Sequence, residues 1–246
     1  MEMDEPENVS VFETPEQLAL AAAQRVALCE REFHGRQERF SLVLAGGNTP
    51  RRVYELLATA PFKQRIEWGE VDLFFGDERC VPPDHRDSNY GMAYQALIFH
   101  VPIPPHNVYR MAGEGGPEQS ARLYESQLRT YFAGASWPRF ALVLLGMGTD
   151  GHTASLFPRS DALNEAERWV LPVSSPAPPR ERLTLTVPVF NHAAHVLFLV
   201  SGKEKAERLA QVLNPKPQTE PLPAQLIQPS SGSVEWLVDS AAAALL

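Results

Sequence analysis

Short, mostly apolar runs punctuate the chain at Phe40–Leu44, Val71–Phe75, Phe140–Leu145, His195–Val200 and Val234–Val238. Runs of this length with little polar interruption read as strands buried on both faces. Trp169–Val173 reads as a further strand, and Arg182–Val187 alternates apolar and polar positions with the period of one. Between the strands the spacing turns helical. Thr14 is placed to cap a helix that Pro15 opens and that continues to Phe33, with Leu18, Ala22, Val26 and Cys29 along one face. Helical spacing resumes at Val53, Leu56 and Leu57, around Met92–Phe99, over Glu118–Phe132, and from Lys203 to Leu213, where Asn214 and Pro215 stop it. A short helix is expected at Ala224–Ile227. Proline-rich or polar loops fill Pro82–Tyr90, Pro102–Pro117, Ser174–Pro179 and Pro215–Pro223. Strands alternating with helices predict one α/β domain over residues 1–246, a doubly wound, mostly parallel, Rossmann-like sheet flanked by helices.

Composition narrows the partners. A formal net charge of −8 argues against nucleic acid, which calls for a basic face, while leaving room for a local pocket for one small anion. Cys29 and Cys80 fit neither a disulfide framework nor a metal spacing, so a reducing, cytoplasmic setting is expected. The first seven residues are acidic and lack the pattern of a secretion signal, and no apolar run is long enough to span a membrane.

Candidate chemistry collects at strand ends. The Phe140 strand stops at Gly146, Gly148 and Gly151, and that turn carries Asp150 and His152. In α/β folds ligands bind beyond the carboxyl ends of strands. The turn therefore reads either as an active site or as a tight bend in which Asp150 caps the next segment and His152 is merely exposed. Its glycines also match the dinucleotide pattern G-x-G-x-x-G, but the next strand ends in Ser174-Ser175 rather than in an acid for ribose, and Asp150 would crowd a pyrophosphate. Gly46-Gly47-Asn48-Thr49-Pro50, between a strand and a helix, offers backbone N–H groups to an anion, or is simply a turn. It is not a Walker A loop. Gly76-Asp77-Glu78-Arg79 ends a strand with polar groups, and Lys203 and Lys205 follow Ser201-Gly202. Arg182 begins its strand, which on topology alone makes it a poor candidate. Ser155 lacks the nucleophile-elbow pattern, His192 and His195 have no third metal ligand nearby, and His85 reads either as a solvated side chain or as a loop organiser.

Taken together, Ala45–Pro50, Phe75–Arg79, Ser88-Asn89-Tyr90, Leu145–Pro158, Arg182–Thr186 and Gly202–Ala206 resemble, in this order and over nearly the whole chain, the 6-phosphogluconolactonases of the glucosamine/galactosamine-6-phosphate isomerase superfamily. The resemblance implies the deaminase/isomerase-type fold and a soluble sugar phosphate as substrate, with no metal or organic cofactor, no nucleic acid and no membrane. A monomer is expected. It implies that His152 is the general base, and that Gly46, Gly47, Asn48 and Thr49, with Arg182 and Lys205, hold the phosphate. Asn48 stands where many relatives carry Ser or Thr. Arg79 is assigned to the lactone end or the phosphate, Asp150 to orienting His152 or capping its turn, and Asp77 and Gly148 to the pocket wall.

The expected reaction is hydrolysis of 6-phospho-D-glucono-1,5-lactone to 6-phospho-D-gluconate, the second step of the oxidative pentose phosphate pathway. Imidazole suits a base working near neutrality. Two alternatives stay open. Glucosamine-6-phosphate deaminases and isomerases share the fold but carry a glutamate soon after the histidine, where this chain has Thr153–Pro158 and no acid before Asp161. A non-catalytic sugar-phosphate-binding protein would need the cations and not the base.

Overall fold

A computed structural model describes residues 8–215 and 220–246. The acidic residues 1–7 and part of the proline-rich Pro215–Pro223 loop lie outside the described residues. Six strands form one parallel sheet in the order β1-β9-β8-β5-β2-β3, built from β1 (Val9–Phe12), β2 (Phe40–Leu44), β3 (Val71–Phe75), β5 (Leu142–Gly146), β8 (His195–Val200) and β9 (Ser233–Asp239). All residues of β2 and β3 are buried, and so is nearly all of β5 and β8, as their apolar runs require.

β4 (Asp77–Arg79), β7 (Glu181–Leu185) and β6 (Val170–Ser174) form a separate three-stranded antiparallel sheet in the order β4-β7-β6. This corrects two expectations. The Gly76–Arg79 segment is not just the tail of β3 but a strand in its own right, and Arg182 does not start a strand of the parallel sheet. Because β7 runs antiparallel to β4, its beginning lies beside the end of β4, with Arg182 paired to Arg79. The topological objection to Arg182 therefore falls.

The helices follow their sequence signals. α1 (Pro15–Gly35) starts with a capping box in which Thr14 Oγ1 accepts from the Gln17 N–H and Gln17 Oε1 accepts from the Thr14 N–H. It buries Leu18, Ala22, Val26 and Cys29. α2 (Asn48–Leu57) begins five residues before Val53, so Asn48 and Thr49 sit in its first turn. α4 (Asn89–Ala96), preceded by the short α3 (Phe62–Arg65), is capped by Ser88, whose Oγ accepts from the Gly91 N–H. α5 (Pro117–Tyr131) packs on β6 and β7. After α6 (Val187–Asn191), the Lys203–Leu213 helix divides into a 3-10 turn at Lys203–Lys205 and α7 (Ala206–Leu213). The expected helix at Ala224–Ile227 is a 3-10 turn over Pro223–Leu226.

The winding positions the site. Connections from β1 to β2 and from β2 to β3 move one way across the sheet; those from β3 to β5, β5 to β8 and β8 to β9 move back. Right-handed crossovers then place α1 and α2, which pack together, on one face and α5 and α7 on the other. The direction reverses between β2 and β5, and the crevice outside their carboxyl ends is where such sheets take ligands.

Candidate active site

A cleft of about 210 Å³ opens at that reversal. Ala45, Gly46 and Gly47 line it from the end of β2, Asp77 and Arg79 from β4, and Asn89 from the start of α4. Gly146, Met147, Gly148, His152 and Ala154 contribute from the β5 end, Arg182 from β7 and Lys205 from the turn after β8. A wider groove of about 1010 Å³, lined by Asp150, Phe157, Arg159, Arg180 and Arg208 among others, adjoins this convergence but does not include His152. Chemistry, and not volume, distinguishes the smaller cleft.

His152 is held from behind. Its Nδ1 lies 2.6 Å from Asp150 Oδ1, which also accepts from the His152 backbone N–H at 3.0 Å. Asp150 thus caps the turn and holds the ring at once. The hydrogen bond from the His152 side chain, reinforced by the backbone one, holds the Asp150 carboxyl down to about 2 although partial burial opposes it. An ionised carboxylate only accepts, so the shared proton belongs to Nδ1 and the free lone pair to Nε2. Phe157 packs on the imidazole at 4.9 Å between centroids. The turn is closed by Gly148 N–H to His152 O at 2.8 Å, Gly151 N–H to Gly148 O at 3.0 Å and Thr153 Oγ1 to Gly146 O at 2.8 Å.

Gly148 is required by room. A Cβ there would stand 2.1 Å from His152 Nδ1 and 2.7 Å from Asp150 Oδ1. Gly148→Ala is expected to push the imidazole out of line and lower kcat about 10²-fold, the scale of a ~1 Å misplacement. The melting temperature should change little, because the ring can swing into the cleft. Steady-state kinetics with a thermal melt checks both halves.

The opposite wall is cationic. Arg79 Nη1 donates to Asp87 O at 2.5 Å, while its buried Nε has no partner. Arg182 Nε donates to Pro179 O at 2.8 Å. Burial, and next the neighbouring Arg79, lower the Arg182 guanidinium from its ordinary value. Among the described residues none of Arg79, Arg182 and Lys205 forms a salt bridge, whereas most other arginines near a carboxylate do. Three cations without carboxylate partners at one cleft make a site ready for an anion. Of the two lysines, Lys205 lines the cleft and Lys203 does not.

Asn48 and Thr49 do not line the cleft side by side with these cations; they occupy the first turn of α2, whose cap, Gly47, has φ +104° and offers no side chain to the helix N–H groups. A helix start left open in this way favours negative charge. Tyr54 fixes the loop: its buried hydroxyl accepts from Ala45 N–H at 2.9 Å and donates to Ala45 O at 2.8 Å.

Sequence reasoning gave no role to several residues that shape this wall. Asn89 Nδ2 donates to Asp77 O at 2.9 Å and to Asp77 Oδ1 at 3.1 Å, and Ser155 Oγ donates to Asp77 Oδ2 at 2.7 Å. Glu78, buried beside them, accepts from the N–H groups of Arg79, Asn89 and Tyr90 and from Ser88 Oγ, tying α4 to β4. Burial raises its carboxyl, with those donors pulling the other way. The block Ser88-Asn89-Tyr90 was the one signal available for this network. His85 organises its loop, accepting from Asp87 N–H, while His192 and His195 bond to Pro188 O and Ser233 Oγ. Among the described residues no cluster of three or more His, Cys, Asp or Glu is placed to hold a metal ion.

Comparison with known proteins identifies the family. A family model described as glucosamine-6-phosphate isomerases/6-phosphogluconolactonase matches residues 13–236. The chain is 41% identical to human 6-phosphogluconolactonase over 98% of its own length and 94% of the relative's. It is 42% identical to 6-phosphogluconolactonase from a Synechocystis strain, over 82% of each chain. Among solved structures, 6-phosphogluconolactonase from Trypanosoma cruzi is similar with a TM-score of 0.88 at 32% identity, covering 99% of this chain and 98% of that one.

Proposed function

Because the chain belongs to the family of glucosamine-6-phosphate isomerases and 6-phosphogluconolactonases, we propose that it is an enzyme hydrolysing 6-phospho-D-glucono-1,5-lactone to 6-phospho-D-gluconate. The observation that carries this reading within the fold is the pairing of an oriented imidazole with three cations that have no ion-pair partner among the described residues. Binding a sugar phosphate needs the cations; hydrolysing a lactone needs the base as well.

The proposed chemistry runs through this chain's own side chains. Arg182, Lys205 and the open start of α2 at Gly47, Asn48 and Thr49 take the phosphate, fixing the sugar so that its carbonyl meets the base. His152 Nε2 removes a proton from water, and the hydroxide oxygen bonds to the lactone carbonyl carbon. The tetrahedral oxyanion is met by Arg79, which lines the cleft, since the N–H groups of Gly148 and Gly151 are already used within the turn. Collapse breaks the bond from carbon to ring oxygen, and the imidazolium returns its proton to that oxygen. Asp150 stays ionised throughout and stabilises the imidazolium. No metal or organic cofactor enters this sequence. The substrate is a soluble anion handled in the cytoplasm by a monomer of one domain, and the net charge of −8 supports a small anion over nucleic acid.

Proton release from freshly generated lactone, measured against the spontaneous rate, tests the proposal. Acceleration is expected; tight binding of the lactone without acceleration would leave a sugar-phosphate-binding protein in its place. Arg182→Ala and Lys205→Ala separately are expected to raise KM about tenfold or more, the worth of one charge-assisted hydrogen bond, with much smaller changes in kcat. Initial-rate measurements across substrate concentration check that split.

A further inference from the structure

Asp77 is the one carboxylate among the described residues lining a cleft that also presents Arg79, Arg182 and Lys205. A carboxylate so placed would ordinarily pair with a guanidinium and neutralise it. It does not. Among the described residues Asp77 forms no salt bridge; both of its oxygens are engaged by neutral donors, Oδ1 by Asn89 Nδ2 at 3.1 Å and Oδ2 by Ser155 Oγ at 2.7 Å. Its strand partner is Thr184, while Arg79 pairs with Arg182 two positions along the same ladder, so the acid and the two guanidiniums stand on one face of the sheet.

Ser155 is built into its place. It is fully buried, its N–H donates to Thr184 Oγ1 at 3.3 Å, and the turn that carries it is closed by Leu156 N–H to Thr153 O at 2.9 Å. The turn passes through Ala154 at φ +49°, a conformation that non-glycine residues adopt only when the surroundings hold them there. Ser155 does not line the cleft, so its hydroxyl acts on the site through Asp77.

Resting on the reading that Arg182 and Lys205 take the substrate phosphate, we propose that Ser155 is a positioning residue that, with Asn89, holds the Asp77 carboxylate away from the guanidiniums and so keeps Arg182 free for the phosphate. Without the hydroxyl, Asp77 Oδ2 is a buried acceptor lacking its donor, and a turn toward Arg182 or Arg79 satisfies it. The phosphate must then displace an internal carboxylate before it can bind.

The test measures inorganic phosphate binding by calorimetry, alongside kcat and KM on the lactone, in wild type, Ser155→Ala, Asp77→Asn and the double variant. Ser155→Ala is expected to weaken phosphate binding and raise KM about tenfold, with kcat changed far less. Asp77→Asn carries no charge to pair with arginine, so it should bind phosphate at least as tightly as wild type, and adding Ser155→Ala to it should make no further difference. Ser155→Cys keeps a weaker donor of similar size and is expected to fall between serine and alanine; it also serves if the alanine variant does not fold. Unchanged phosphate affinity in Ser155→Ala or Ser155→Cys would overturn the proposal, as would an equal loss in the Asp77→Asn background, or a fall in kcat and melting temperature alone. Wild type that binds no phosphate would overturn it too. Wild type that binds phosphate but leaves the lactone intact would contradict the hydrolytic reading alone, and the phosphate titrations would still decide the role of Ser155.

Discussion

His152→Ala is expected to lose about 10²–10⁴ in kcat on 6-phosphogluconolactone while binding inorganic phosphate as wild type does. The lower bound reflects what a general base contributes; cations and positioning retain the remainder of the acceleration. The separation follows from the geometry, because the ring sits at the β5 end whereas the cations come from β4, β7 and the turn after β8. The imidazole is partly exposed, with 34% of its side-chain surface accessible, so its loss should disturb stability little. Single-turnover rates and phosphate titration on one preparation check both statements. Hydrolysis at near-normal rates would remove His152 from the role of base.

Asp150→Asn is expected to lower kcat by up to about 10³-fold with KM nearly unchanged. A fully buried orienting carboxylate can be worth ~10⁴; the smaller figure follows from the exposure of Asp150, 42% of whose side-chain surface is accessible. An amide can offer its N–H to Nδ1, which turns the tautomer around and puts the proton on Nε2, where the base is needed. The wild-type carboxyl, held down to about 2 by its bond to His152, is ionised throughout the range above the ordinary carboxylate pKa of ~3.9 and favours the imidazolium. The same depressed pKa is a stability contribution, fully present above the ordinary carboxylate range and lost as pH falls toward 2. An unchanged kcat in Asp150→Asn would leave Asp150 as a turn cap only.

The parts of the fold that burial dictates were readable in the chain. β2, β3, β5 and β8 are mostly apolar runs because helices or sheet cover both faces. β1 was not anticipated: it is an edge strand, mostly half-buried, whose partner β9 lies at the far end of the chain. β4 escaped notice for a different reason. Its three residues are all charged because it forms a wall of the cleft, and only pairing with β7, some 100 residues on, makes it a strand. That antiparallel pairing is also why Arg182 reaches the site from the beginning of its strand.

At the site, the glycine turn advertised His152 and Asp150 because the two are close in sequence and chemically distinctive. Ser155, Asn89 and Glu78 stood in or beside the motifs but had no role that the sequence could assign. Their meaning depends on contacts such as Ser155 to Asp77, which span 78 positions and carry no local pattern. The dinucleotide pattern in Gly146–Gly151 has a steric explanation instead, since Gly148 leaves room for the imidazole.

The missing glutamate after His152 has acquired a structural counterpart. Asp77 is the one acid on the described cleft wall, and neutral donors hold both its oxygens, so a ring-opening carboxylate of the isomerase kind has no obvious seat. The most direct test of the account gives one purified sample both freshly generated 6-phosphogluconolactone and glucosamine-6-phosphate, following proton release from the first and ammonia from the second. Hydrolysis well above the spontaneous rate with no ammonia is the predicted result; ammonia release with lactone decay at its spontaneous rate would contradict it.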